Sequence, residues 1–330
     1  MRRRPTGPGS GYVWRPPRLR TSGAGAAGRP AEQPARLAFL AAVVVSALLG
    51  AALSAVWPAP VHSRAAGTVR AAPAVEAAIE TAAALGPADR ARITGLLDDH
   101  LAGRPGRLAL AVQELRTGAA FGYSAGTVFR TASVVKLDLV VHMLLRAEEQ
   151  DRFLTDREAA LAAEMIRYSD NDAADTAYEH NGFTPGFTAA TRRLGLTGTR
   201  PDTGGAWGLG TTTAADRLRL LRAVFTPASP LSERGRTYVR SLMAAVAPEQ
   251  AWGISAAAEP ADSAEVKNGW APAAGGGGRW VVHSTGRILR GDREYLIAVL
   301  SDRQPGYGAG VETVESAAAL AVEAIARALE

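Results

Sequence analysis

A run of twenty residues without a single charge, at positions 37–56, sets the first limit on how this chain can fold. Twenty helical residues rise about 1.5 Å each and together span roughly 30 Å, the thickness of the hydrocarbon core of a bilayer. Trp57 and Pro58 follow the run, where an interfacial aromatic residue is expected. We therefore predict a transmembrane signal-anchor over residues 37–57, which divides the chain into two separate parts.

The excess positive charge of the chain lies in front of this run. Residues 1–36 contain eight Arg and one Glu, whereas the residues after them carry a net charge of −2. By the positive-inside rule, residues 1–36 form a basic cytoplasmic tail and everything after residue 57 lies outside the cytoplasm, anchored by one membrane pass. The alternative is a secreted protein, produced if the run is cleaved as a signal. Because no basic excess remains after residue 36, binding to nucleic acid is not expected.

The exported part divides into a linker and one domain. Residues 58–86 are rich in Ala and Pro and lack periodicity, as is typical of a linker. Residues 87–330 predict a mixed α/β domain, in which strands from both ends of the domain form an antiparallel sheet beside an inserted helical lobe. Periodicity predicts helices at 88–101, 134–146, 161–168, 188–194, 213–224 and 311–329, and strands at 107–114, 119–123, 265–267, 280–288 and 295–301.

The chain contains no cysteine, which excludes disulfides, a thiol nucleophile and metal sites built on thiolates. Its five histidines show no spacing that is typical of metal ligands. We therefore predict neither a metal nor any other cofactor.

Lysine is almost absent, since the chain has 35 Arg and only two Lys, Lys136 and Lys267. Arg cannot lose its proton in a protein, whereas a buried Lys can become neutral and act as a base. Lys136 follows Ser133 by three residues, so both side chains share one face at the start of a predicted helix. A hydroxyl is a weak nucleophile until a neighbouring base takes its proton. This spacing therefore predicts that Lys136 activates Ser133.

Three short motifs occur in one order along the domain: S-x-x-K at 133–136, S-D-N at 169–171 and K-N-G at 267–269. Each motif alone is weak, because such short patterns arise by chance and a Lys before a turn usually lies in solvent. Their conjunction is more specific, because together they use both lysines of the chain and each falls in a fitting predicted element. A fourth pattern, G-x-S-x-G at 122–126, contains Ser124; its surroundings look extended, so we interpret it as a loop rather than a nucleophile elbow.

With these motifs in this order, residues 87–330 resemble the penicillin-recognising serine hydrolases, closest to class A β-lactamases. The resemblance implies the α/β (α+β) fold of β-lactamases and transpeptidases, an antiparallel sheet flanked by the N- and C-terminal helices plus an all-helical lobe. It also implies reaction with β-lactams or D-Ala-D-Ala-type peptides through an acyl-serine intermediate. The catalytic domain is expected to be monomeric.

The resemblance further implies a role for each catalytic residue. Ser133 corresponds to the acylated nucleophile and Lys136 to its base. Ser169 would relay a proton to the leaving nitrogen, while Lys267 would orient Ser169 and attract the carboxylate of the substrate. The backbone N–H groups of Ser133 and Trp270 would form the oxyanion hole, because the developing charge needs two donors.

The remaining motif residues are implied to bind substrate or to brace the site. Asn171 would hold the amide side chain of the substrate, and Asp170 would be structural. Asn268 stands where the family has Ser or Thr, and its amide can still donate to a carboxylate; Gly269 completes that motif. Arg287, on a neighbouring predicted strand, is a candidate partner for the substrate carboxylate. His283 on the same strand is weighed as a substrate contact.

The sequence departs from class A enzymes where the acyl-enzyme is hydrolysed. Those enzymes use a Glu in an E-x-x-L-N loop to activate water, and no such motif occurs between residues 171 and 211. A Gly-rich stretch at 203–210 fills the loop position, and Asp202 is the acid considered as a substitute. Two alternatives to a turnover enzyme therefore stay open: a penicillin- or peptidoglycan-binding sensor or scaffold that does not release its acyl group, and an esterase on the same scaffold.

Overall fold

A five-stranded antiparallel sheet with helices on both faces forms the framework of the domain. The computed structural model describes residues 85–260, 263–273 and 277–330, so the predicted tail, transmembrane segment and almost all of the linker lie outside the described residues. The sheet has the strand order β2-β1-β7-β6-β5, which leaves β5 at one edge, while β3 and β4 pair separately. The strands are β1 (Arg107–Glu114), β2 (Ala120–Tyr123), β3 (Phe129–Arg130), β4 (Thr211–Thr212), β5 (Ala264–Pro272), β6 (Trp280–Arg290) and β7 (Arg293–Gln304).

The helices divide between the two faces of the sheet. The first and last cover one face, and the others form the lobe on the opposite side. No helix within the described ranges is long and apolar enough to cross a bilayer. The helices are α1 (Pro87–Leu101), α2 (Val135–Glu148), α3 (Asp156–Ala163), α4 (Asn171–His180), α5 (Phe183–Arg193), α6 (Ala214–Phe225), α7 (Glu233–Ala244) and α8 (Tyr307–Ala328).

Side chains alternate along each strand, so the sheet contributes residues to two separate apolar cores. On β7, Leu296 and Leu300 point into the core shared with the lobe, whereas Ile297 and Val299 point into the core under α1 and α8. The last helix, predicted at 311–329 from its apolar periodicity, is confirmed as Tyr307–Ala328, and Val314 and Ile325 on its apolar side are fully buried against the sheet. One face of the sheet packs against the lobe and the other against α1 and α8. The face on which a β5 side chain lies therefore decides which residues it can contact.

Helix α2 is fixed at the centre of the lobe by a buried ion pair. Nearly all of its residues are buried, as its continuous apolar pattern predicted. Asp138 accepts hydrogen bonds from the Arg217 guanidinium of α6, one of them 2.7 Å long, and both side chains are almost fully buried. Removing one partner of such a pair leaves an uncompensated buried charge, which costs about 3–5 kcal/mol. The pair thus holds α2, and Lys136 on it, in a set position.

The predicted fold class is confirmed, but several element boundaries were wrong. The predicted helix 188–194 begins at Phe183, and the predicted strand 265–267 extends over β5. Helices α4 and α7 were not predicted, although α7 buries Val239, Leu242 and Met243. The buried side of α4 consists mainly of Ala173, Ala174 and Ala177. Alanine gives little hydropathy contrast, so the helical period was invisible in that segment.

Candidate active site

Ser133 lies in a single 3₁₀ turn, Ala132–Val134, that leads directly into α2. The edge strand β5 passes very close to this turn: a Cβ at Gly269 would lie 2.9 Å from the backbone N of Ser133 and 2.6 Å from that of Val134. Only a glycine allows the strand to approach so closely. The Ser133 hydroxyl, which is half-buried, makes no hydrogen bond to any other described residue and is open to an incoming group.

Ser169 is presented at the site by an unusual piece of backbone. Helix α3 continues into a π-helical turn, Glu164–Tyr168, and Ser169 then adopts a left-handed conformation with φ of 58°. Asp170 begins α4 as its N-cap, with its carboxylate accepting from the backbone N–H of Ala173 at 2.7 Å. The reversal turns Ser169 towards the lysines and lets Asn171 start a helix beside it.

The two lysines of the chain converge on the Ser169 hydroxyl. Lys136 Nζ lies 3.3 Å and Lys267 Nζ 3.0 Å from Ser169 Oγ. Lys136 also donates to the Ser169 carbonyl and, at 2.7 Å, to Asn171 Oδ1, while Lys267 donates to the Asn268 carbonyl. The structure thus brings together Ser169, Asn171 and both lysines from three distant parts of the sequence, as the motif order predicted. Ser133 lies on the turn that precedes the Lys136 helix.

Burial makes both lysines easier to deprotonate. Loss of hydration lowers the pKa of Lys136 to about 7, against the opposing effect of Asp170 and Asp175, whose negative charges raise it. The pKa of Lys267 also falls well below its usual value, first because it is fully buried and second because Lys136 is near. Two positive charges are therefore disfavoured here. A neutral Lys136 amine, on the helix that follows the Ser133 turn, is available near neutral pH, which is the condition for a general base.

The assignment of Asn268 to substrate binding is corrected by its position on β5. Side chains alternate along the strand, so Asn268 emerges on the face opposite to Lys267. Its Nδ2 group donates to the carbonyls of Gln250 at 2.7 Å and Trp252 at 3.0 Å, deep in the core. Both amide hydrogens are occupied, and none is left for a substrate carboxylate. Asn268 therefore braces the segment behind the strand.

Trp270 also turns its side chain away from the site. Its ring packs 5.8 Å from the ring of Trp252 and 6.0 Å from that of Tyr307, on the same face as Asn268. Only its backbone runs along the exposed edge of β5, beside the Ser133 turn. A role for Trp270 is thus restricted to its N–H group.

Arg287 and His283, the two candidate substrate contacts on β6, are already hydrogen-bonded within the protein. The Arg287 guanidinium bonds to Glu294 at 2.8 Å and to Glu265 at 3.1 Å, and the residue directly opposite Lys267 on β6 is Thr285. His283 is completely buried; its Nε2 group donates to the Arg130 carbonyl at 2.7 Å, and Nδ1 accepts from the Ser301 N–H at 3.1 Å. Neither Arg287 nor His283 is retained as a substrate contact. His283 instead ties the backbone just before the nucleophile turn to the sheet.

Asp202, the acid considered for water activation, has a structural position. Its Oδ2 atom accepts from the backbone N–H groups of Gly204 at 2.8 Å and Ala206 at 3.2 Å, which folds the loop onto itself. Within the described residues, no carboxylate hydrogen-bonds to Lys136 and no cluster of His, Asp or Glu is arranged to hold a metal ion.

Trp207 is the site residue that sequence reasoning missed. The centre of its ring lies 5.0 Å from Lys136 Nζ, and its Nε1–H donates to Asp175 at 2.6 Å. Asp175 follows Asn171 by one turn of α4, so both face Lys136. A large aromatic residue in a Gly-rich stretch was the available signal, together with an acid four residues after the S-D-N motif.

Comparisons with known proteins agree with this geometry at the level of the fold. No family model matches the chain. Among curated proteins, the chain is 26% identical over 211 residues to "Putative lipoprotein LppW" of Mycobacterium tuberculosis and of Mycobacterium bovis. That match covers 62% of this chain, which spans 65% of the length of those relatives.

Solved structures give a broader match over the described domain. PBP-A is 17% identical, with a TM-score of 0.61 over 73% of this chain and 97% of its own. A β-lactamase from Streptosporangium roseum is 21% identical, with a TM-score of 0.60 over 72% and 99%. A class A β-lactamase from Bacteroides cellulosilyticus is 15% identical, with a TM-score of 0.60 over 72% and 98%. The described part of the chain therefore has the fold of class A β-lactamases and of PBP-A.

Proposed function

We propose that this protein is an extracytoplasmic serine hydrolase that forms an acyl-enzyme on Ser133 with β-lactams or D-Ala-D-Ala-type peptides. The observation that carries the proposal is the Ser169 hydroxyl, which two buried lysines approach within 3.3 and 3.0 Å beside the nucleophile turn. The fold supports the same class of reaction, and a PBP-A variant of that fold was solved as an acyl-enzyme complex with penicillin G.

The proposed acylation step uses the residues of the three motifs in turn. Neutral Lys136 takes the proton of the Ser133 hydroxyl, and the Ser133 oxygen attacks the amide carbon. The carbonyl oxygen then gains negative charge, which the backbone N–H groups of Ser133 and Trp270 stabilise. When the carbon–nitrogen bond breaks, Ser169 passes a proton to the leaving nitrogen and recovers one from the neighbouring lysines. Lys267, whose amine lies 3.0 Å from Ser169 Oγ, holds Ser169 in place, and Asn171 is the proposed partner for an amide of the substrate.

The test is covalent labelling of the full-length protein with a fluorescent penicillin. We expect a labelled band for the wild type and none for Ser133→Ala, because only Ser133 would form the ester. Ser124→Ala is the control, because Ser124 is an exposed serine in a loop outside the site. Labelling that persists in Ser133→Ala, or that disappears in Ser124→Ala, would contradict the assignment of the nucleophile.

The same gel tests the proposed location. The uncharged run 37–57 and the basic tail support a single-pass membrane protein with its hydrolase domain outside the cytoplasm. The lipoprotein name of the mycobacterial relatives is consistent with a protein attached to a membrane. We expect the label in the membrane fraction of cells that are treated intact. A shorter labelled form in the medium would instead indicate cleavage and secretion.

A second candidate function is a protein that binds penicillin or peptidoglycan peptides and keeps its acyl group. It is favoured by the contacts of Lys136: no carboxylate in the described part of the chain hydrogen-bonds to its amine, and the Trp207 ring lies 5.0 Å from it. Label that clears with formation of hydrolysed penicillin would favour a β-lactamase, and label that stays would favour the second candidate. Cleavage of small chromogenic esters without labelling by penicillin would favour an esterase.

A further inference from the structure

We propose that Trp207, tethered by Asp175, keeps hydrolytic water away from the acyl group on Ser133 and so makes the acyl-enzyme long-lived. This inference rests on the proposed function, and it assigns to one loop the control over how the intermediate decays. It concerns two residues, Trp207 and Asp175, that lie outside the three motifs.

The indole of Trp207 lies next to the amine of Lys136. The Trp207 side chain is 5% exposed, and its ring lies 5.0 Å from Lys136 Nζ. The other partners of that amine are Ser169 and Asn171, which belong to the acylation machinery. A water that used Lys136 as a base would have to come within hydrogen-bond reach of Nζ, about 2.6–3.2 Å. An apolar ring at this distance leaves less room for such a water on its side of the amine.

The loop that carries Trp207 is also held closed at several points. Paired backbone hydrogen bonds between Arg200 and Thr211, each 2.9 Å, join the two ends of the loop. Asp202 accepts from two N–H groups inside it, as described above. The Thr131 N–H donates to the Gly210 carbonyl at 2.9 Å, which ties the loop to the segment that leads to Ser133. The loop therefore holds the ring in a defined position.

A charged hydrogen bond to Asp175 also holds the Trp207 ring in place. Trp207 Nε1–H donates to Asp175 at 2.6 Å, and a charged acceptor makes such a bond stronger than a neutral one. The same bond occupies a carboxylate whose charge acts on Lys136. Asp175 is thereby engaged as an anchor for the ring, although it is an acid near the site.

The chemistry of release explains why this matters. For hydrolysis, a water oxygen must attack the acyl carbon, a base must take the water proton, and the bond between that carbon and the Ser133 oxygen must break as this oxygen regains a proton. Acylation needs no water, because Ser133 itself is the nucleophile. A ring that excludes water therefore slows release and leaves acylation intact.

The experiment labels the full-length protein, removes free fluorescent penicillin, and follows the loss of label with time. Mass spectrometry identifies the released product as penicillin with one added water. We expect Trp207→Ala to lose its label at least tenfold faster than the wild type. Trp280→Ala is the matched control, because Trp280 is a half-buried tryptophan that packs on Tyr307, away from the lysines. It should release label at the wild-type rate.

Two further variants keep the test informative if Trp207→Ala does not fold. Trp207→Phe retains an apolar ring without the N–H donor, and Asp175→Ala retains the ring without its acceptor. Both should release label faster than the wild type and more slowly than the alanine variant. Release at the wild-type rate in all the folded variants would overturn the role of Trp207, as would rapid release in the wild type, while labelling would still support the proposed function. A wild type that takes no label would overturn both.

Discussion

Lys136 shows how strongly a single residue depends on its surroundings. In water its ammonium group would hold its proton throughout the neutral range, but burial brings the pKa to about 7. Ser169 and Asn171 accept hydrogen bonds from the Lys136 amine, so the side chain stays in place in either protonation state. The activity of the site should therefore follow the proton on this amine.

The pH dependence of acylation follows from that proton. Below pH 7 the Lys136 amine is charged and cannot act as a base, so the labelling rate should fall about tenfold per pH unit. Above pH 7 the amine is neutral and the rate should level off. Initial labelling rates between pH 5 and 9 measure this profile. Lys136→Arg, which stays charged, should take no label at any pH in that range; a flat wild-type profile would argue against Lys136 as the base.

Single residues also mark the limit of what the sequence predicts. The rarity of lysine and the order of the motifs predicted a site built on Ser133, Lys136, Ser169 and Lys267, and the structure brings both lysines to the Ser169 hydroxyl. Asn268 was misassigned, because only the pairing of β5 decides which face a side chain takes. The contact between Trp207 and Lys136 joins residues far apart in the chain and has no local pattern.

At the scale of elements, the edge strand β5 and the 3₁₀ turn of Ser133 act together. The strand contributes Lys267 on one face and Asn268 on the other, while its free edge runs past the turn. A left-handed serine after a π-helical turn brings the third element, α4, to the same place. The sequence predicted a shorter form of the strand and a helix over 161–168 that includes the π-helical turn. It missed α4, because the Ala-rich buried side of that helix gives little hydropathy contrast.

The close contact at Gly269 gives a prediction for this pair of elements. In Gly269→Ala, the new methyl group would lie 2.6 Å from Val134 N, so the strand must move away from the turn. We expect the rate of penicillin labelling to fall at least 100-fold, because the oxyanion donors of the two elements would separate. Gly308→Ala, where a methyl group meets no atom within 4 Å, is the control and should label normally. Normal labelling of Gly269→Ala would show that the spacing is not critical.

At the scale of the whole molecule, buried histidines make stability sensitive to acid. Burial lowers the pKa of both His142 and His283 to about 4, from a usual value of 6.5. Below pH 6.5 these two imidazoles are protonated in the unfolded chain but stay neutral in the folded protein. The free energy of unfolding therefore decreases as the pH falls from 6.5 towards 4. A shift of this size is worth about 3 kcal/mol for each histidine when fully expressed.

Unfolding in urea, followed by tryptophan fluorescence, measures this effect. We expect the free energy of unfolding to decrease steadily as the pH falls from 6.5 to 4.5. Above pH 7 it should still rise with pH, because the pKa values of the buried Lys136 and Lys267 lie below those of the unfolded chain. His142→Gln cannot take up the proton and should lose less stability across that interval than the wild type. An unfolding free energy that does not change between pH 7 and 4.5 would contradict the assignment of both histidines as buried and neutral.

The groups of the site come from both halves of the domain, since Lys267 and Gly269 belong to the sheet whereas Lys136, Ser169 and Trp207 belong to the lobe. The proposed acylation of Ser133 therefore requires that the two halves of the domain stay packed together. A small separation of the sheet from the lobe would abolish the proposed reaction before either half unfolds. Stoichiometric acylation thus counts correctly assembled molecules, and a covalent label can serve as an internal gauge of native assembly in a detergent extract.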